Sequence, residues 1–397
     1  MKKLSSLFAA VSLALIGQAH AEEVTASAKA IKLTKETILI DTHIDVPYRI
    51  HEKWADVTKA TSDGDFDYPR AVKGGLNAPF MSIYIPANLE FEGKGKSYQL
   101  ANQLIDSMEA VVQRAPEKFA IADSTDDVKA QFQQGKMSIA MGMENGSPIE
   151  GEIKNLKHFY DRGIRYITLA HSQSNHISDS SYDLRRKWKG LSPFGKELVK
   201  EMNNIGMLVD VSHISDDAFY QVMEISKVPV IASHSSLRKY TPGFERNMND
   251  DMLLALKKNG GVIQINFGSS FVTSQAGSWY NQLKAAKADK KKEGTKLSKD
   301  FDAAYRAKNP FPFASLEQVL DHIDHVVELI GIDYVGIGSD YDGVGDSLPV
   351  GLKDVSSYPN LVQGLMDRGY SDADIKKILS GNMLRVWKQA EQYAANH

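Results

Sequence analysis

The chain has 397 residues, with 47 Lys and Arg against 50 Asp and Glu, a formal net charge of −3 and no Cys. A near-neutral balance without a basic tract excludes a binder of nucleic-acid backbones. The lack of Cys excludes disulfides, thiolate nucleophiles and thiolate-bound zinc, and the length suffices for one large α/β barrel with insertions or for two domains.

Residues 1–21 open with Lys2 and Lys3, continue in an apolar run over 7–16 and end in Ala19-His20-Ala21, the pattern of a cleaved export signal. The run is shorter than the roughly 20 residues that a membrane span needs, and no other stretch is long and apolar enough. The expected product is a secreted single domain over 22–397, with the periplasm as its compartment and no transmembrane segment. The polar tail 392–397 and the missing Cys speak against a lipid anchor. Residues 22–35 are polar and helix-tolerant, and are expected to be a mobile lead-in.

From there short β-rich runs alternate with longer amphipathic stretches. Strands are expected at 37–41, 79–85, 138–143, 166–170, 207–211, 228–233, 261–267 and 334–339. Helical spacing recurs at 98–115, 125–134, 153–162, 193–205, 215–225, 249–258 and 315–330. Each strand run is nearly all apolar, as in strands covered on both faces. Eight such units predict an α/β fold of the TIM type, a (β/α)8 barrel, with a doubly wound open sheet as the competing architecture. The Lys-rich stretch 273–308 breaks the alternation and reads as an inserted charged helical segment with a solvated face, a lid being the sharper alternative. Two C-terminal helices are expected at 373–379 and 383–393, broken by Gly381-Asn382.

Polar residues stand at or just beyond the C-terminal end of one expected strand after another: His43 and Asp45, Glu144, His171, His213, His234 and Asp340. In a parallel barrel those ends share one rim, so residues distant in sequence converge there. His43-x-Asp45 sets two ligand types on one side of an extended segment. Glu144 closes an apolar run, where a carboxylate is costly unless paired or bound to a cation, and its two oxygens can bridge two metals. His213 and His234 each follow a buried strand and a Ser. Imidazole and carboxylate without thiolate suit zinc, with manganese, cobalt or iron open by geometry. Asp342 reads as a loop-capping group beside Gly343, His322 and His325 as structural histidines sharing one helix face, and His176 as a loop residue bordering the pocket at most.

The segments Asp41-Thr42-His43-Ile44-Asp45-Val46-Pro47, Gly142-Met143-Glu144-Asn145-Gly146, Thr168-Leu169-Ala170-His171-Ser172 and Val209-Asp210-Val211-Ser212-His213 stand in this order. Ser233-His234-Ser235-Ser236, Arg246-Asn247 and Gly336-Ile337-Gly338-Ser339-Asp340-Tyr341-Asp342-Gly343 follow them. With these motifs the sequence resembles the membrane (renal) dipeptidase family, a branch of the amidohydrolase-like metal-dependent barrels, over roughly residues 38–387. The resemblance implies two Zn2+ ions per chain. His43 and Asp45 would hold the first, His213 and His234 the second, and Glu144 would bridge both. It further implies that His171 contacts the reacting substrate oxygen, that Arg246 holds the substrate and that Asp340 handles the proton. A homodimer is also implied, whereas the missing Cys and anchor signal set aside a disulfide-linked, membrane-tethered form.

The expected reaction is hydrolysis of dipeptides, including those with a C-terminal D-residue, by a metal-activated bridging water. His171 would stabilise the oxyanion, Asp340 would shuttle the proton and Arg246 would pair with a substrate carboxylate. A binuclear metallohydrolase of the same barrel type acting on another amide, a lactone or an ester is the nearest alternative. A periplasmic peptide-binding protein without catalysis is the alternative of another class.

Overall fold

The computed structural model describes residues 25–292 and 298–397; the signal-type segment 1–21 lies outside them. Nine strands occur among the described residues. They are β1 (Ile40–Ile44), β2 (Ala78–Tyr84), β3 (Phe119–Ile121), β4 (Met137–Glu144), β5 (Ile164–Thr168), β6 (Leu208–Asp210), β7 (Ile231–Ser235), β8 (Val262–Ile265) and β9 (Val335–Ile337). Eight of them run in the order β1-β2-β4-β5-β6-β7-β8-β9, every neighbouring pair parallel. The ring closes beyond β9, where Tyr341 bridges to Ile44. There Asp340 N donates to His43 O at 3.0 Å and Asp45 N to Tyr341 O at 2.9 Å. This is the (β/α)8 barrel, and the open sheet is ruled out. Closure takes place at the C-terminal rim, where the polar residues stand.

Each of the eight expected strands is present, but β1 and β7 begin three residues later than the apolar pattern suggested, so that His43 and His234 lie inside strands. The pattern misjudged them because the rim strands bury polar residues whose partners come from across the barrel. Thr42 Oγ1, for example, donates to Ser233 O at 2.5 Å. β3, only three residues long, pairs with β4 off the barrel path and left no legible signal.

The expected helices form within two residues of their predicted ends, with Ser124, Ser192, Ser215, Asn249 and Ser315 capping theirs through side-chain acceptors. The lead-in is instead partly ordered as a helix, Ala28–Lys35, which buries Ala30 and Leu33. Gly381-Asn382 is not a break either. A π-turn at Lys377–Gly381 runs straight into the helix Asn382–Ala394. Asn382 keeps the helical path because its Nδ2 is buried and donates to Ile332 O at 2.7 Å and Val335 O at 2.8 Å. That last helix brings Trp387 under the barrel, 5.1 Å from the Phe80 ring. No helix among the described residues is long and apolar enough to cross a membrane.

The charged insertion has an apolar nucleus of its own. Ala276, Trp279 and Leu283 of the helix Ser274–Lys292 pack with Phe311, and Phe301 and Tyr305 of the helix Phe301–Lys308 lie against them. Trp279 Nε1 donates to Asn309 O at 2.8 Å, tying the two ends of the segment. Most of its described lysines are exposed as expected, Lys287 being half-exposed, yet Tyr280 and Lys284 reach the wall of the central cavity.

His322 is a structural histidine. Fully buried, it accepts a hydrogen bond at Nδ1 from Leu237 N at 3.0 Å, so its proton sits on Nε2 and points to Val272 O at 3.1 Å. Burial pushes its pKa down from 6.5 to about 4. Between those values the unfolded chain binds a proton that the folded chain refuses. Stability is therefore complete above pH 6.5 and falls as pH drops towards 4, by up to about 3 kcal/mol. His322→Gln, which keeps an acceptor and a donor, is expected to flatten this slope in urea unfolding at pH 5 and pH 7. An unchanged slope would assign the acid sensitivity elsewhere.

Candidate metal centre

A cavity of about 910 Å³ opens at the rim, with Asp45, Glu144, His171, His213, His234 and Asp340 in its wall. Glu144 is the last residue of β4. His171, His213 and Asp340 each stand three residues past the ends of β5, β6 and β9. His213 and Asp340 hold left-handed backbone, φ 69° and 66°, a conformation that costs about 1 kcal/mol or more and tends to be kept where function requires it.

The Glu144 carboxylate is the hub. Its Oε1 lies 3.0 Å from His213 Nε2 and 3.2 Å from His234 Nε2. Its Oε2 lies 3.5 Å from His43 Nε2, which in turn is 3.5 Å from Asp45 Oδ2. A tetrahedral zinc ion with bonds of about 2.0–2.1 Å separates its ligand atoms by about 3.3 Å. Both sets of donors match that edge, one on each oxygen of Glu144. The buried Nε2 of His43 has no hydrogen-bond partner, an orphan that a cation would satisfy. The residues present therefore fit divalent cations. The same atoms also form overlapping groups that include His171 and Asp340: Glu144 with His171 and His213, and His43 with Asp45 and Asp340.

Electrostatics point the same way. Burial, joined by the charge of Arg246 at His213 and by those of His43 and Arg246 at His234, pushes both imidazoles well below their usual range, so both rings are neutral and ligand-ready. Burial opposes a charge on His43, but Asp45 and Glu144 outweigh it and push its pKa up to about 10. Burial and the neighbouring carboxylates hold Asp45 well above its ordinary value, while His43 and His171 outweigh burial at Glu144 and hold it well below. Crowded, buried carboxylates make this a place where positive charge is stabilised.

Asp340 Oδ2 accepts from Asn266 Nδ2 at 2.7 Å. The approach of Asp340 to Asp45 depends on Gly343, whose Cβ, if present, would lie 2.2 Å from Asp45 Oδ2 and 2.3 Å from Asp340 Oδ1. The His171 ring lies 4.3 Å from that of His213, tilted by 36°. Arg246 lies behind the wall: Nη1 donates to Ser235 Oγ and Nη2 to His234 O, each at 2.7 Å, and the buried Nε is unpartnered. Asp342 is a loop residue as expected, joined to Asp65 N at 2.6 Å and to Arg49 at 3.0 Å. His176 pairs with Glu90 at 3.0 Å, away from this cavity. The pattern reading missed Asn266, and with it Tyr84, Tyr182 and Phe271 in the wall; none carries a spacing signal.

The model of the membrane dipeptidase family, peptidase family M19, matches residues 27–397. The chain belongs to the membrane dipeptidase family. An uncharacterized dipeptidase of Schizosaccharomyces pombe is 31% identical over 369 residues, covering 89% of this chain and 81% of that protein. Among solved structures, the probable dipeptidase PvdM from Pseudomonas aeruginosa superposes with a TM-score of 0.80 at 28% identity, over 92% of this chain and 98% of that one. A metallopeptidase from Rhodobacter sphaeroides, liganded with a phosphinate mimic of the dipeptide L-Ala-D-Ala, shares the fold. Its TM-score is 0.73 at 23% identity, over 89% of this chain and 99% of that one.

Proposed function

We propose that this chain is a metal-dependent dipeptidase in which Glu144 bridges two zinc ions, one beside His43 and Asp45 and the other beside His213 and His234. The observation that carries the reading is the matched pair of donor sets on the two oxygens of one buried carboxylate. Cations held there supply Lewis acidity and bring the pKa of water towards neutrality.

The chain's own groups do the rest. Asp340, with Oδ2 held by Asn266, takes the proton of the attacking water on Oδ1 and returns it to the leaving amine. His171 donates to the developing oxyanion, a contact worth about 3 kcal/mol. Arg246 supplies the positive charge that the free carboxylate of a dipeptide needs, while its Nη1 and Nη2 bonds keep β7 and the following loop in place. A cation fixed that close to the reacting centre favours very short peptides, because a longer chain carries its carboxylate elsewhere. The dipeptide mimic bound by the Rhodobacter sphaeroides relative supports the substrate class and extends it to a C-terminal D-residue. The signal-type pattern of residues 1–21 supports export to the periplasm, and the family resemblance supports a homodimer.

The test is hydrolysis of a stereochemically varied dipeptide library by the zinc-loaded protein, beside tripeptides, lactones and acylated amino acids. Cleavage of dipeptides far above the others is expected; preference for a lactone or ester, or capture without cleavage, would refute the reading. Arg246→Ala, which removes the positive charge behind the wall together with its bonds to Ser235 and His234, is expected to raise KM about tenfold or more. An unchanged KM would remove the carboxylate clamp.

A further inference from the structure

Two imidazoles of the cluster, His43 and His234, are held from behind by hydroxyl groups whose own protons are already committed. Tyr166 is fully buried inside the barrel. Its hydroxyl donates to Thr42 O at 3.0 Å and lies 2.9 Å from His43 Nδ1. A carbonyl oxygen only accepts, so the phenol proton goes to Thr42 and the proton between Tyr166 and His43 must come from Nδ1. The ring has its place because β4 carries Gly142 beside it: a Cβ there would sit 2.0 Å from Tyr166 Cζ.

His234 repeats the arrangement with different chemistry. Its Nδ1 is 2.7 Å from Ser233 Oγ, which donates to Asp210 Oδ2 at 2.6 Å. The Asp210 carboxylate is fully buried and also takes Thr168 Oγ1 at 2.5 Å, Ser233 N at 2.8 Å and Ser212 N at 3.0 Å. With its proton spent on Asp210, Ser233 can only accept from His234 Nδ1. In contrast, Nδ1 of His213 is buried without a partner.

We infer that Tyr166 and the Ser233–Asp210 pair are positioning residues that keep the protons of His43 and His234 on Nδ1, so that each Nε2 lone pair faces the cation site, one lock for each cation. The inference rests on the metal reading of the cavity. The rings themselves lie face to face, centroids 3.6 Å apart, so a ring flip at either would displace the other. Partners of this kind generally contribute about 10- to 100-fold to metal affinity.

Zinc titration of the metal-stripped full-length protein against a chromophoric chelator tests the two locks separately. Tyr166→Phe, which retains the ring in its slot, is expected to weaken one of two zinc sites about tenfold or more and leave the other near its wild-type affinity. Ser233→Ala is expected to weaken the other site by a similar factor. Affinities of both variants within about twofold of wild type would overturn the inference, as would equal losses at both sites in either one. Long-range ¹H–¹⁵N spectra of the zinc-loaded, ¹⁵N-His-labelled wild type read the tautomer directly and do not depend on a variant folding. Protons on Nδ1 of His43 and His234 are expected, and a proton on Nε2 of either ring overturns the lock. Failure of the wild type to bind zinc at all would instead defeat the metal reading beneath it.

Discussion

Asp340→Asn is expected to lower kcat about 10³-fold while zinc content and KM for a dipeptide stay near wild type. General acid–base catalysis contributes about 10²- to 10⁴-fold, and an amide of the same shape can neither accept the water proton nor return it. The substitution is mild on the fold, because an amide oxygen still accepts from Asn266 Nδ2 where Asp340 Oδ2 did. Metal analysis of the same preparation decides what the loss means. Asp340 forms a potential cation group with His43 and Asp45, so loss of zinc together with activity would make it a ligand and end its role as proton carrier. Near-normal kcat would end that role as well.

The second large effect is at Glu144. Glu144→Gln removes one negative charge from the position that both donor sets share, and the new amide places an N–H against imidazole nitrogens that offer lone pairs. Both zinc affinities are expected to fall at least about a hundredfold, equivalent to about 2.7 kcal/mol each, and hydrolysis with them. Asp45→Asn provides the contrast, since of the two donor sets Asp45 belongs only to that of His43, 3.5 Å from its Nε2, and should weaken only one cation. Equilibrium dialysis with zinc analysis distinguishes the two patterns. If Glu144→Gln lost one cation and kept the other, the carboxylate would not be a bridge.

Much of this site was legible in the sequence for a physical reason. Parallel strands deliver their C-terminal ends to one rim, so a list of polar residues at strand ends becomes a list of neighbours. His43, Asp45, Glu144, His171, His213, His234 and Asp340 were all placed there and all line or adjoin the same cavity. The apolar runs likewise marked all eight barrel strands. What escaped was whatever depends on partners across the barrel. β1 was expected to end at Asp41 but runs on to Ile44, its polar stretch held by partners that include residues across the barrel: Asp41 Oδ1 accepts from His43 N and Ser339 N, each at 3.0 Å. The same blindness hid Tyr166 and Asp210, which read as ordinary strand residues until the atoms they hold are known.

The insertion shows the other limit. Its lysines promised a solvated face, and most of them deliver one, but Trp279 and Phe311 fold the segment onto itself and turn Tyr280 and Lys284 towards the cavity. A charge count cannot register that orientation. Gly381-Asn382 misled in the opposite sense, because a glycine in helical backbone beside an Asn with two buried carbonyl partners continues a helix in place of ending it.

One carboxylate, Glu144, is proposed to divide two cations. An anomalous difference map from crystals grown with zinc, recorded on either side of the zinc absorption edge, tests it most directly. Two peaks are expected, one among Glu144 Oε1, His213 and His234 and one among Glu144 Oε2, His43 and Asp45. A single peak, or peaks that leave either oxygen of Glu144 without a metal, would contradict it.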